Sequence, residues 1–174
     1  MRITKETKGI IDEGYRYKYE GDIETKESLD IVLDKGLFVT GSIEAGGSIE
    51  AGEYIKAGGY IKAGGYIRAG GYIRAGWSIE AGGKYGISAG LSISCKGNLT
   101  FGLKCFAGIC TWRTIKDEEK TVTCGTFCGG TLEYGILNEV GVEEEKHVIM
   151  VDGKEIEISH EDYENLKSTL EEEK

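Results

Sequence analysis

Four cysteines, Cys105, Cys110, Cys124 and Cys128, follow one another as C-x4-C-x13-C-x3-C, and four thiolates can hold a structural zinc. The spacing is looser than the usual C-x2-C pairs, and Cys105 falls where the surrounding pattern wants a small buried residue. Buried, reduced thiols are therefore the expectation, and Cys95 fits that inner pattern only if the register drifts. Gly86-Ile87-Ser88-Ala89-Gly90 matches G-x-S-x-G, but no strand-turn-helix context surrounds Ser88. The only histidines, His147 and His160, lie outside the glycine-rich repeat, and neither a G-x-G-x-x-G turn nor a phosphate-binding lysine motif occurs. No catalytic residue and no cofactor are assigned, and a non-enzymatic protein is expected.

A second constellation is suited to binding. Tyr54, Tyr60, Tyr66 and Tyr72 each precede Lys56, Lys62, Arg68 and Arg74 by two residues, which puts each aromatic and its cation on one side of an extended chain. Aromatic and cationic groups interleaved on a rigid surface form protein interfaces or stack bases and neutralise phosphates. These eight residues are the expected partner-binding surface, with a protein partner preferred over direct nucleic-acid binding.

The elements that carry them repeat. Residues 42–83 read SIEAGG, SIEAGE, YIKAGG, YIKAGG, YIRAGG, YIRAGW, SIEAGG. Isoleucine recurs every six residues from Ile43 to Ile79, with alanine two places later, so Ile and Ala share one face of a short strand and the residue between them faces outward. A helix would need apolar spacings of three and four, and glycine costs up to ~1 kcal/mol per residue in its interior. Continued in the same register, the pattern takes in Ile31/Leu33 and Leu37/Val39 upstream. Downstream it runs through Tyr85/Ile87, Leu91/Ile93, Gly97/Leu99, Leu103/Cys105 and Ile109/Thr111. The expected fold is mainly β, a single-stranded parallel β-solenoid of about four to five coils. At 18 residues per coil the stacked outer pairs are Glu44–Lys62, Glu50–Arg68, Lys56–Arg74 and Lys62–Glu80, a better charge match than a 12-residue coil provides.

This pattern resembles the hexapeptide-repeat proteins, whose left-handed triangular β-helix turns an aliphatic residue inward every six positions. The resemblance covers residues 31–114. It implies a left-handed solenoid and raises acyl-coenzyme A dependent acyl transfer, which in that family uses a histidine base; here both histidines lie outside the repeat.

The flanks complete the expected organisation: residues 1–30 a β cap, 31–114 the solenoid, 115–142 flanking strands around a charged turn at Lys116–Lys120, and 143–174 a separate β-β-α unit. In that last unit Asp152-Gly153 is a hairpin turn signal and Ser159 an N-cap for a helix from about His160. The unit is too small to be stable alone, so docking or homodimerisation through it is expected. The 174 residues carry a net charge of −9, 28 glycines and no proline. The charge is uneven: residues 41–115 hold eight basic and four acidic side chains, residues 116–174 six and seventeen. No apolar stretch is long enough to span a bilayer and the first residues contain no signal-like apolar run, so a cytoplasmic location is expected. A tandem repeat beside an acidic terminal unit looks like small proteins of Gram-positive bacteria and their phages. That resemblance implies an inhibitor of a nucleic-acid-targeting defence enzyme, of the anti-CRISPR type, acting by occlusion or by phosphate mimicry. Glu143, Glu144, Glu145, Glu161, Asp162 and Glu164 are the expected mimic residues. A self-associating structural solenoid is the competing expectation.

Overall fold

A computed structural model describes residues 1–141, 146–151 and 154–159. The chain divides into two compact units, Met1–Val142 and Glu143–Lys174.

The first unit is a parallel β-solenoid. Three-residue strands alternate with glycine corners, and each strand pairs with the strand one coil away, giving sheets of seven, six and eight strands. The six-stranded sheet stacks Ile23–Thr25, Ile43–Ala45, Ile61–Ala63, Ile79–Ala81, Asn98–Thr100 and Thr126–Cys128, so five turns separate its first and last rungs. Ile43 faces Ile61 and Ile61 faces Ile79, which fixes three hexads, or 18 residues, per coil. All four outer pairs expected from that period are in register.

The core is a column of isoleucines and alanines. Ile43, Ile49, Ile55, Ile61, Ile67, Ile73 and Ile79 are 0% exposed, each contributing about 1.5–3 kcal/mol by burial. No polar or charged residue is buried among the described residues. Inward apolar side chains and coil-to-coil backbone hydrogen bonds, such as Gly64 N–H to the Ala45 carbonyl (2.9 Å), therefore stabilise the unit together.

The corner glycines serve close approach between coils. A Cβ on Gly70 would stand 1.9 Å from the Gly52 carbonyl oxygen, and one on Gly65 2.2 Å from Ser48 Oγ. The first glycine of a corner makes room for backbone, the second for the side chain one coil below.

The solenoid extends beyond residues 31–114. Arg2–Ile3, Tyr17–Tyr19 and Ile23–Thr25 are rungs of the three sheets, and Ile10–Asp12 closes one edge antiparallel to Tyr17–Tyr19. Ile3, Tyr17 and Ile23 are thereby buried, whereas Tyr15 is 70% exposed. At the other end four strands follow the 3-10 turn Asp117–Lys120. The positions that continue the inward columns, Val122, Phe127, Leu132 and Leu137, come every five residues, so the last coil has shorter sides, and Leu137 on the final rung is exposed.

The extrapolated register needs correction by two residues on each flank. Leu29 and Ile31, not Ile31 and Leu33, are the inward pair upstream, because the corner after Ile31 is longer. Downstream a longer corner after Ala81, turned by Tyr85 N–H donating to the Gly82 carbonyl (2.8 Å), makes Ile87/Ala89, Ile93/Cys95, Leu99/Phe101 and Cys105/Ala107 the inward pairs. Ile109 lies in the loop that precedes the 3-10 turn and is exposed.

In the second unit, strands Lys146–Val151 and Lys154–Ser159 pair antiparallel with Val151 opposite Lys154; the turn expected at Asp152-Gly153 lies outside the described residues. The helix expected from His160 lies outside the described residues.

Candidate binding faces

The eight Tyr, Lys and Arg residues do not share one face. Three hexads complete a coil, so consecutive hexads face three directions: Lys56 and Arg74 lie on the eight-stranded face, Lys62 on the six-stranded and Arg68 on the seven-stranded one. The tyrosines divide likewise among the corners. Only Tyr54 and Tyr72, one coil apart, share one; their rings stack with centroids 4.4 Å apart at 10°. Tyr60 and Tyr66 occupy the other two and are 40% and 39% exposed. Tyr66 Oη donates to Glu50 Oε2 (3.1 Å), which raises the tyrosine's pKa. Burial raises that of Tyr54 and of Tyr60.

Sorting the outward middle residues by face separates charge. The eight-stranded face carries Lys18, Phe38, Lys56, Arg74, Ser94 and Thr123 on successive rungs, with no carboxylate in the row. The six-stranded face carries Glu24, Glu44, Lys62, Glu80 and Thr100. The seven-stranded face is balanced, with Arg2, Asp30, Glu50 and Arg68 followed by Ser88. Its ladder contains the ion pairs Arg2–Asp30 (3.5 Å) and Arg68–Glu50 (3.6 Å).

The eight-stranded face also gathers π systems under its cations. Phe38 lies between the Arg16 guanidinium, 4.6 Å from its centroid, and Lys56 Nζ at 4.9 Å. Arg74 stands 5.2 Å from the Tyr72 ring and donates from Nε to Ser94 Oγ (3.1 Å). These contacts let the like charges of Lys56 and Arg74 sit on adjacent rungs. Arg16 and Lys18 are matched by Glu13 and Glu20, whereas Lys56 and Arg74 form no ion pair among the described residues. A shallow depression of about 440 Å³ runs along them, lined also by Lys96. Phe38 and Lys96 were not singled out by the repeat; the 18-residue stacking rule would have found Phe38, which lies 18 positions before Lys56.

The cysteines are not brought together as a zinc site. Cys105 and Cys124 are buried on different sheets, and Cys110 and Cys128 are partly exposed; among the described residues no cluster of histidine, cysteine or acidic side chains is placed to hold a metal. Burial pushes the thiols of Cys95 and Cys105 up to about 12, and that of Cys124 up to about 11. Ser88 occupies the middle of a regular strand between Arg68 and Phe106. His147 lies on the strand opposite Ile158. His160, Glu143, Glu144, Glu145, Glu161, Asp162 and Glu164 lie outside the described residues. No helix among the described residues is long and apolar enough to cross a membrane.

The geometry thus defines a class, a parallel β-solenoid whose three faces differ in charge. Scans against protein-family models, curated proteins and solved structures found no match for the chain.

Proposed function

We propose that the chain is a non-enzymatic binding protein that holds an anionic partner against its eight-stranded face. The observation that supports this reading is the row Lys18, Phe38, Lys56, Arg74, uninterrupted by a carboxylate, with Lys56 and Arg74 in no ion pair among the described residues. A strand ladder keeps these cations at the ~4.8 Å rung spacing, so the face is organised before any partner arrives and loses little entropy on binding. Within this class, an inhibitor of a nucleic-acid-targeting enzyme, located in the cytoplasm, is the narrower proposal.

Affinity capture with the wild type and with the double variant Lys56→Glu/Arg74→Glu tests the reading. A partner present with the wild type and lost with a folded variant supports it. Recovery of the same set with both proteins overturns it, and the identity of the captured partner decides the narrower proposal.

A further inference from the structure

The charge rows of the eight-stranded and six-stranded faces are complementary when they run in opposite directions. Taken antiparallel, Lys18 meets Glu80, Phe38 meets Lys62, Lys56 meets Glu44 and Arg74 meets Glu24: three ion pairs, with the uncharged Phe38 opposite the one cation of the acidic row and no like charges facing across four rungs. Taken parallel in the same span, Lys56 falls on Lys62. We infer that the anionic partner of the eight-stranded face is the six-stranded face of a second copy of this chain, its solenoid axis reversed. The inference rests on the reading of the eight-stranded face as an anion-binding surface and names its occupant.

Charge alone would admit many partners; pitch narrows them. Both rows are spaced by the same inter-strand distance, about 4.8 Å, so opposing residues stay in step along the whole contact. A second copy has that pitch by construction, whereas the phosphates of an extended nucleic-acid strand follow their own repeat. The acidic row is available for the contact: in the Lys62–Glu80 pair, at 3.7 Å, the side chains are 47% and 50% exposed.

The contact joins two different faces, so it is heterologous, and each added copy uses one of its two faces and leaves the other free for the next. Association is therefore open-ended. Four rungs span only about 14 Å along the axis at that spacing, far short of a standard interface. Exposed ion pairs contribute little each, so the association is weak and strongly dependent on salt.

Sedimentation of the full chain at high concentration, in about 0.02 M and about 0.5 M salt, tests the inference. The wild type is expected to grow beyond a dimer with concentration at low salt and to be monomeric at high salt. Lys56→Glu alone and Glu44→Lys alone should each weaken association by roughly three- to tenfold. The double variant Lys56→Glu/Glu44→Lys should restore it, because each chain carries both halves of the exchanged pair. Circular dichroism and a thermal melt identify any variant that fails to fold; for such a position the Arg74→Glu/Glu24→Arg exchange serves instead. A wild type that stays monomeric at low salt overturns the inference, as does a folded double variant that remains as weak as the single ones. A monomeric wild type that binds a single-stranded oligonucleotide, or loses a captured partner on Lys56→Glu/Arg74→Glu, overturns it while leaving the anion-binding reading intact.

Discussion

Tyr54 and Tyr72 are eighteen residues apart in sequence and 4.4 Å apart between ring centroids, with their planes 10° from parallel. One coil of solenoid separates them, so this stack reports the period of the fold directly. Gly36 continues the same corner one coil earlier: a Cβ there would fall within 2.1 Å of the Tyr54 ring. The small residue and the two rings form one column, on which Arg74 rests through Tyr72.

Truncating one ring should therefore affect both stability and the basic face. Tyr72→Ala is expected to cost about 0.5–1.5 kcal/mol beyond the lost apolar area, measured by urea unfolding. Tyr72→Phe, which keeps the ring, should remain close to the wild type. Equal losses in the two variants would show that the hydroxyl and not the stacking matters.

Two glycines with similar sequence surroundings should respond in opposite ways to alanine. A Cβ on Gly70 meets the Gly52 carbonyl oxygen at 1.9 Å, while a Cβ on Gly52 meets nothing within 4 Å. Gly70→Ala must push two coils apart and should destabilise by about 1–3 kcal/mol or more. Gly52→Ala should be neutral or slightly stabilising, since it restricts the unfolded chain. The denaturation midpoints of the two variants provide the comparison, and tolerance of Gly70→Ala would contradict the close approach of the coils.

Alkali should loosen the solenoid through its buried thiols. Folding raises Cys95 and Cys105 to about 12 and Cys124 to about 11, from an ordinary value of 9.0. Folding therefore favours the protonated thiol. The contribution is complete below pH 9 and is lost as pH rises through 9 toward 11–12. Urea midpoints should fall across that window. Cys105→Val should reduce the fall, because Cys105 stands in an isoleucine column opposite Ile87 and valine keeps that position apolar. A thiol reagent at neutral pH should modify Cys110 and Cys128 before the three buried thiols; uniform reactivity would be inconsistent with their burial.

Acid should release the loop before the last coil. Glu119 pairs through both carboxylate oxygens with Arg113 and accepts from the Lys116 backbone N–H at 3.1 Å. The Arg113 bonds, followed by that of Lys116, hold its pKa at about 2 against an ordinary 4.5. The clamp is present above pH 4.5 and is lost as pH falls from there toward 2. Loss of protection at the Lys116 amide, relative to a free amide at the same pH, is the expected outcome over that range, reproduced at neutral pH by Glu119→Gln; protection unchanged in the variant would exclude the clamp.

Much of the fold was legible because the repeat is short and nearly perfect. A residue pattern of period six with isoleucine and alanine on alternate positions admits one buried face, and the stacking of Glu44 on Lys62 and Glu50 on Arg68 followed from the charges alone. Legibility ended where corners changed length. Nothing in the composition of residues 82–86 or 32–36 announces two extra residues, yet the first shifts every inward position after it by two, the second every one before it, and both keep the alternation intact. Cys95, unassigned by strict period, is buried for this reason.

The candidate site was less legible than the fold. Tyr54, Tyr60, Tyr66 and Tyr72 look equivalent along the sequence, because one strand's alternation assigns each of them the same inside-outside status. Phe38, remote from the tandem copies, looks unrelated to Lys56 but is its neighbour on the next rung.

The sequence by itself determined the period, the buried face and the residues that point outward, since these follow from local alternation and from the need to bury isoleucine. Only the tertiary structure decided which outward residues are neighbours. With three strands to a coil, residues six apart look in different directions and residues about eighteen apart stand side by side. That winding divides a mixed run of Glu, Lys and Arg into one basic face, one acidic face and one balanced face.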